Sequence, residues 1–161
     1  VVIPEHHTRR RIADPAAETE MIKVLKDVGF TVKEASGKNL PKWVKDFMKD
    51  PEKPKPVSFN KIDIVITGEG FSEFGARIGG LVSCSARLEV RAVSTNNGNK
   101  ILAAERTTKR AIDISEAIAA KTALQAAGHE MAINVIEKLA KDIKGKKKLT
   151  IKNTANKDGA K

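Results

Sequence analysis

Residues 66–80 read ITGEGFSEFGARIGG, with glycines at 68, 70, 75, 79 and 80 directly after a short apolar run. Glycine-rich turns that follow strands hold phosphate in many proteins, because bare backbone N–H groups can close on the anion. A P-loop needs GxxxxGK and then Ser or Thr, so that the lysine reaches the phosphates. Gly70 and Gly75 have that spacing, but Ala76-Arg77 follow. A dinucleotide fingerprint needs GxGxxG opening a helix. After Gly68 and Gly70 the third glycine position holds Glu73, and a strand follows. Glu69 and Glu73 would also repel phosphate. The stretch therefore reads as architecture: Gly68 and Gly70 bend or bulge a strand end, and Gly75, Gly79 and Gly80 form a mobile hairpin connection.

Other residues capable of chemistry are few. Histidine occurs only at 6, 7 and 129. His6 and His7, adjacent on a strand, point to opposite faces, and Arg9-Arg10-Arg11 beside them disfavours a cation, so no metal site is expected. The same HHTRRR run suits an anion or an acidic partner. His129 falls opposite Met131 on the helical wheel and is expected exposed or at an interface. No Ser–His–Asp arrangement emerges from the spacing, and Glu69 with Glu73 is a carboxylate pair without an evident pocket. Cys84, the single cysteine, falls on an inward strand face and reads as inert core; alone, it excludes an internal disulfide and a cysteine-based zinc cluster. The expectation is a chain with no catalytic residue, no cofactor and no metal, and so not an enzyme.

Composition agrees with a folded chain: 161 residues, 40% hydrophobic and 31% charged, suffice for one domain with a real core. No apolar run approaches the roughly 20 residues that span a bilayer. The chain opens on VVIP without an initiator Met, signal or lipidation motif, which suggests a fragment of a longer protein. The net charge of +10 is uneven, because the last 16 residues hold 6 basic side chains and 1 acidic. The folded part is thus only mildly basic, and aromatic content of 4% leaves little for base stacking.

The elements that would position these residues follow from periodicity. Val1–Pro4 reads as a first strand. DPAAETEMIKVLKDVGF reads as a helix with Asp14 as N-cap, Pro15 at its first position and Gly29 as terminator. Phe30–Lys33 reads as a second strand, parallel to the first. Leu40, Trp43, Val44, Phe47 and Met48 recur at helical spacing, and the PEKPKP run after them reads as an extended spacer. IDIVITG and VSCSARLEVRAV alternate with period two; in the latter Val82, Cys84, Ala86, Leu88, Val90 and Ala92 face inward, and Arg87, Glu89 and Arg91 outward. That charged row should pair with Glu105, Arg106, Lys109 or Arg110 on the next strand, ILAAERTTKRAI, reached through a turn at Asn97-Gly98. A long helix spans 113–144, with Asp113 and Glu116 as a capping box, Gly128 where it crosses the sheet closely, and Gly145 at its end. KKLTIKN reads as a further strand. The result is an α/β, two-layer fold in the order β-α-β-α-β-β-β-α: a mixed sheet of about five strands with helices on one face. Residues 1–145 form one domain, and 146–161 a basic tail or the first strand of a following domain.

DPAAETEMIKVLKDVGFTV, DIVITGEGFSE, SARLEVRAVSTNNGNKILAAE and AAKTALQAAGHEMAINVIEKL together resemble the curli-secretion lipoprotein superfamily. That group includes the penicillin-binding-protein activator lipoprotein B, the middle domain of flagellar assembly protein T and the amino-terminal domain of the Tol translocation protein. The resemblance spans roughly residues 1–145. It implies an α/β domain of the bacterial envelope, periplasmic or at the cell surface, that binds protein partners in scaffolds or rings, with a homo-oligomer among the alternatives. It transfers no catalytic residue. The connections 75–81 and 96–99 are too short for the membrane-inserting strands of the pore-forming members. The expected contacts are Arg9, Arg10, Arg11, Arg87, Glu89, Arg91 and Trp43. The alternative is a nucleic-acid or polyanion-binding module using HHTRRR and the lysine-rich tail.

Overall fold

The structure is a computed structural model and describes residues 1–33, 40–50, 61–96 and 100–155; the side chains of 40, 41, 43, 45 and 145–155 lie outside the described set. Five strands form one mixed sheet in the spatial order β2-β1-β3-β4-β5. They are β1 (Glu5–His7), β2 (Arg10–Arg11), β3 (Ile64–Ile78), β4 (Leu81–Ser94) and β5 (Ile101–Asp113). Three helices accompany them: α1 (Ala16–Asp27), α2 (Leu40–Lys49) and α3 (Glu116–Ala155). The α/β class, the five-stranded mixed sheet and the long C-terminal helix packed on it are as expected, but the element order is β-β-α-α-β-β-β-α.

The inward residues predicted for β4 are all buried: Val82, Cys84, Ala86, Leu88, Val90 and Ala92 are each no more than 1% exposed. Ala86, Leu88, Val90 and Ala92 pack with Ile66 of β3 against Ala123, Leu124, Ala127, Met131 and Val135 of α3, α1 adds Ala17, Met21 and Leu25 to the same core, and Val82 and Cys84 pack separately on Ala119 and Ala120. Such a core, at roughly 1.5–3 kcal/mol for each large side chain withdrawn from water, is what holds the layers together.

Several expectations are corrected. Residues 30–33 form no strand. The parallel partner of the N-terminal segment is β3, with His6 opposite Phe71 and His7 opposite Ser72. Val1–Pro4 runs along β3 as an irregular lead-in, joined by Val2 N–H to the Ile66 carbonyl (2.9 Å) and Gly70 N–H to the Pro4 carbonyl (3.0 Å). The polar HHTRRR run, rather than VVIP, makes the regular strands, because Thr8 and Arg9 take positive φ (45° and 68°) and turn the chain into a tight hairpin.

The second face of the sheet is also covered in part. Val44 of α2 packs on Val65 and Val2, with Met48 and Ile62 beside them, so helices lie on both faces rather than one. α3 does not stop at Gly145 but continues through KKLTIKN to Ala155. The PEKPKP run and Asn97-Gly98 lie outside the described residues, as does the side chain of Trp43.

Candidate functional site

The glycine stretch does not open a helix as a phosphate loop would, and the connection within it is shorter than expected. β3 runs unbroken from 64 to 78, and only Gly79 and Gly80 form the turn into β4, Gly79 at φ +59°. The bulge sits between Phe74 and Ala76, at Gly75. Gly68 allows close backbone approach: a Cβ there would lie 2.2 Å from the Glu89 carbonyl oxygen. Gly70 makes room for Glu5, whose Cγ would be 3.0 Å from an added Cβ.

Glu5 is the first functional side chain that sequence reasoning missed. It is 1% exposed, and its carboxylate accepts the N–H groups of Ala16 and Glu18, each at 2.9 Å. It therefore caps α1 from another element, satisfying donors that a helix N-terminus leaves orphaned. Asp14, the expected cap, instead ion-pairs with Lys121, and the N-cap residue, Pro15, makes no side-chain cap bond. Burial pushes the Glu5 carboxyl up to about 7, against the downward pull of the helix N–H groups. No local spacing signals this role, which depends on the β1–β3 register and on the absence of a Cβ at Gly70.

The same register builds a Ser–His–Glu cluster that no spacing shows. His7 Nδ1 lies 2.9 Å from Ser72 Oγ, and His7 Nε2 lies 3.0 Å from Glu116 Oε1. With Glu116 accepting from Nε2–H, Nδ1 accepts from the Ser72 hydroxyl. In a hydrolase this sequence of bonds activates a serine. Here Ser72 is 3% exposed, in mid-strand beneath the helical layer, so its oxygen has no open approach for a substrate carbonyl. The cluster is a clasp joining β1, β3 and the start of α3. It also explains why the capping box fails: Glu116 is spent on His7, and Asp113 accepts from Ser115 N–H (3.3 Å). Cys84 lies beneath, with Sγ 3.5 Å from the Glu116 carbonyl and its thiol pushed up by burial, as befits an inert core cysteine.

A second polar cluster lies on the α3 side of the sheet. Glu20 of α1 accepts from Gln125 (3.2 Å) and pairs with His129 Nδ1 (3.0 Å), and the His129 bond holds its carboxyl below the usual range. Beside it Glu130 pairs with Lys109 and accepts from Thr107 (2.5 Å); these bonds, that from Lys109 first, hold Glu130 low as well. Glu20, Gln125, His129, Glu130 and Lys109, together with Thr122, line a shallow depression of about 470 Å³. A second cleft of about 470 Å³ lies between the segment after α1 and the start of β3, walled by Leu25, Phe30, Val32, Ile64, Ile66 and Leu139.

The predicted contact residues are scattered. Arg9 turns the β1–β2 hairpin and Arg10 and Arg11 form β2, all exposed. Arg87, Glu89 and Arg91 do share the outer face. Glu89 holds Arg87 (2.7 Å) and its register partner Arg106 (3.7 Å). Arg91 is taken by α2, donating to the Met48 carbonyl. Glu105 and Lys109 are on the opposite face and pair with Lys138 and Glu130 of α3, because period two puts odd-numbered β5 residues under the helix. Gly128 faces α1 rather than the sheet: a Cβ there would lie 2.5 Å from the Ala17 carbonyl oxygen.

What remains is an apolar end. Phe74, Ile78, Leu81, Ile112, Ile114 and Ile118 are all 45–80% exposed. The register gathers them: Ile78 faces Leu81 across the turn, Ile112 faces Ser83, and Ile114 follows Asp113, the partner of Val82. Among the described residues no group of three or more His, Cys, Asp or Glu could hold a metal ion, and no helix is long and apolar enough to cross a membrane.

No protein-family model matches the chain, and no curated protein matches it. Solved structures do superpose on it. A protein of Caulobacter crescentus CB15 described as a "putative lipoprotein" is 14% identical, with 89% of this chain and 91% of that one covered and a TM-score of 0.41. The hypothetical protein CT253 of Chlamydia trachomatis is 11% identical over 86% and 94%, TM-score 0.44. The lipoprotein GNA1162 of Neisseria meningitidis is 14% identical over 87% and 96%, TM-score 0.36. At such values the likeness says nothing about the role of any residue.

Proposed function

We propose that this chain is a non-enzymatic domain of a bacterial envelope assembly protein, and that it works by holding a protein partner along β5. The observation that carries this reading is the state of that strand. β5 is 13 residues long, ends the sheet and pairs with β4 on one side only among the described strands. A strand of that length with an open side is a template for an extended segment of another chain, main-chain hydrogen bonds giving affinity and alternate side chains giving selectivity. The absence of chemistry is argued from the polar clusters: each closes on itself and joins structural elements. The envelope setting rests on the resemblance of the sequence to the curli-secretion lipoprotein superfamily.

A photo-crosslinking side chain placed in turn at Thr107, Thr108 and Lys109, and at Lys121 of α3 as a control, tests this in envelope fractions. The expected result is an adduct with one defined protein from the β5 positions, alternating in yield with strand period, and none from position 121. Equal labelling from β5 and α3, or none from β5, removes the reading.

A further inference from the structure

We infer that the hairpin end of the sheet docks on an anionic lipid surface, a function separate from partner binding along β5. Ile78 is 80% exposed, Ile114 75%, Ile112 66%, Ile118 51% and Leu81 50%. Single exposed apolar residues are ordinary, but a contiguous group at one end marks an interaction site. Its form identifies the occupant. Ile78, Leu81 and Ile112 project from the outer face, since their neighbours Val82 and Cys84 point into the core. Phe74, opposite Cys84, projects from the helix face, 45% exposed, and Ile118 sits in the first turn of α3. Apolar side chains thus surround the tip on several sides. A groove on a protein would contact one face, whereas a bilayer contacts every side of an inserted tip. The apex itself is Gly79-Gly80, which puts no polar side chain in front.

Charge complements this arrangement. The β1–β2 hairpin, whose Thr8 N–H bonds the Ser72 carbonyl at 3.0 Å, carries Arg9, Arg10 and Arg11. With the bulge at Gly75, the stretch from Ser72 to Ile78 matches the five steps from Ala86 to Leu81 on β4, roughly 17 Å at 3.3 Å per residue. Arginine side chains leaning toward the tip from that level reach the headgroups when the apex enters the acyl boundary by about 5–10 Å, the usual depth of interfacial insertion. Arg77 stands nearer the apex, opposite Val82. None of these four arginines ion-pairs with a described residue, while Glu73 and Asp113 are the acidic side chains of β3 and β5 nearest the tip.

The test is co-sedimentation of the full chain with phosphatidylcholine vesicles, with and without phosphatidylglycerol, at low salt. The wild-type chain is expected to partition onto the anionic vesicles and far less onto the neutral ones. Ile78→Ser combined with Ile114→Ser, both at exposed positions, lowers that partitioning at least tenfold with an unchanged circular dichroism spectrum. Arg10→Gln and Arg77→Gln each lower it roughly fivefold, and only on anionic vesicles. Three results overturn the inference. One is no partitioning by the wild type. Another is partitioning untouched by the tip variant, which assigns it to the basic C-terminal residues. The third is a tip variant that converts a self-associated wild type to monomer without any vesicle binding, which gives the end to a second copy of the chain.

Discussion

Replacing Gly128 with alanine separates two forces that act in opposite directions. In an exposed helix interior the change gains about 1 kcal/mol, since glycine sacrifices more backbone entropy. At this position the new Cβ would lie 2.5 Å from the Ala17 carbonyl oxygen, 2.7 Å from Ala17 Cα and 3.0 Å from its carbonyl carbon. These are backbone atoms, so no rotamer can yield; α1 must retreat from α3 by about 1 Å to restore contacts near 3.5 Å. Ala17, Met21 and Leu25 of α1 are 0%, 0% and 2% exposed in that interface, and a gap of that size forfeits a quarter to a half of each contact. Overpacking of this kind costs about 1–3 kcal/mol, so after the propensity gain the net expectation is a loss of up to about 2 kcal/mol, or up to roughly 8 °C in Tm for a chain of this size. Urea unfolding of Gly128→Ala measures it. Ala126→Gly, at an exposed position of the same helix, calibrates propensity alone at about 1 kcal/mol lost. Adding Ala17→Gly to Gly128→Ala should restore little, because the clash is with backbone. A Gly128→Ala protein stabilised by the propensity increment would refute the close crossing of α1 on α3.

Two further perturbations address the buried polar groups. Glu5→Gln leaves one of the two α1 N–H groups facing an amide NH2, and urea unfolding at neutral pH should show a loss of about 1–3 kcal/mol. The wild type has a matching pH signature. With the folded Glu5 carboxyl at about 7 against an ordinary 4.5, the favourable contribution is complete below pH 4.5 and is lost as pH rises through about 7. This amounts to up to roughly 3 kcal/mol, and the Gln variant should not show it. Glu20 has the opposite sign: its depressed carboxyl contributes above the ordinary value and loses that contribution as pH falls below it. His129→Ala should move the Glu20 carboxyl titration, followed by carbon-detected NMR, back upward, and an unmoved titration would show that the His129 bond is not its cause.

The legible parts of the fold are those whose information is local and periodic. The alternation from Val82 to Ala92 specifies one buried face, and a one-residue slip would expose all of it. Gly29 terminates α1 as read, with φ +98° and its N–H on the Lys26 carbonyl. What was not legible depends on register between distant segments. The roles of Glu5 and His7 leave no mark on the local sequence, because their partners lie 11 to 109 residues away. Phe30–Lys33 has strand-like composition, but β1 pairs with β3 and leaves it no place in the sheet. The glycines at 68 and 70 suggest a bend through their local freedom, whereas both serve close approach of other chain segments. The alternation of β4 places the charged row on its outer face, but α2 takes Arg91, and no local pattern in α2 says which face of the sheet it will cover.

The close approaches also bear on the apolar end. Glycines at 68, 70 and 128 sit where a single methyl group would meet another segment within 3.0 Å, so the interior of this protein is fitted at the level of individual atoms. Loose packing is then a poor account of several large aliphatic side chains left in water at one tip. The tip extends beyond the clasp at Ser72, His7 and Glu116, and beyond the small buried group of Val82, Cys84, Ala119 and Ala120 that ends the core on that side. The extension carries isoleucine and leucine outward, ends in two glycines and has arginines a level behind it. The outward isoleucines and leucine depart from what solubility alone favours, and with the arginines a level behind them they share one explanation if the tip is covered by something apolar with negative charge around it.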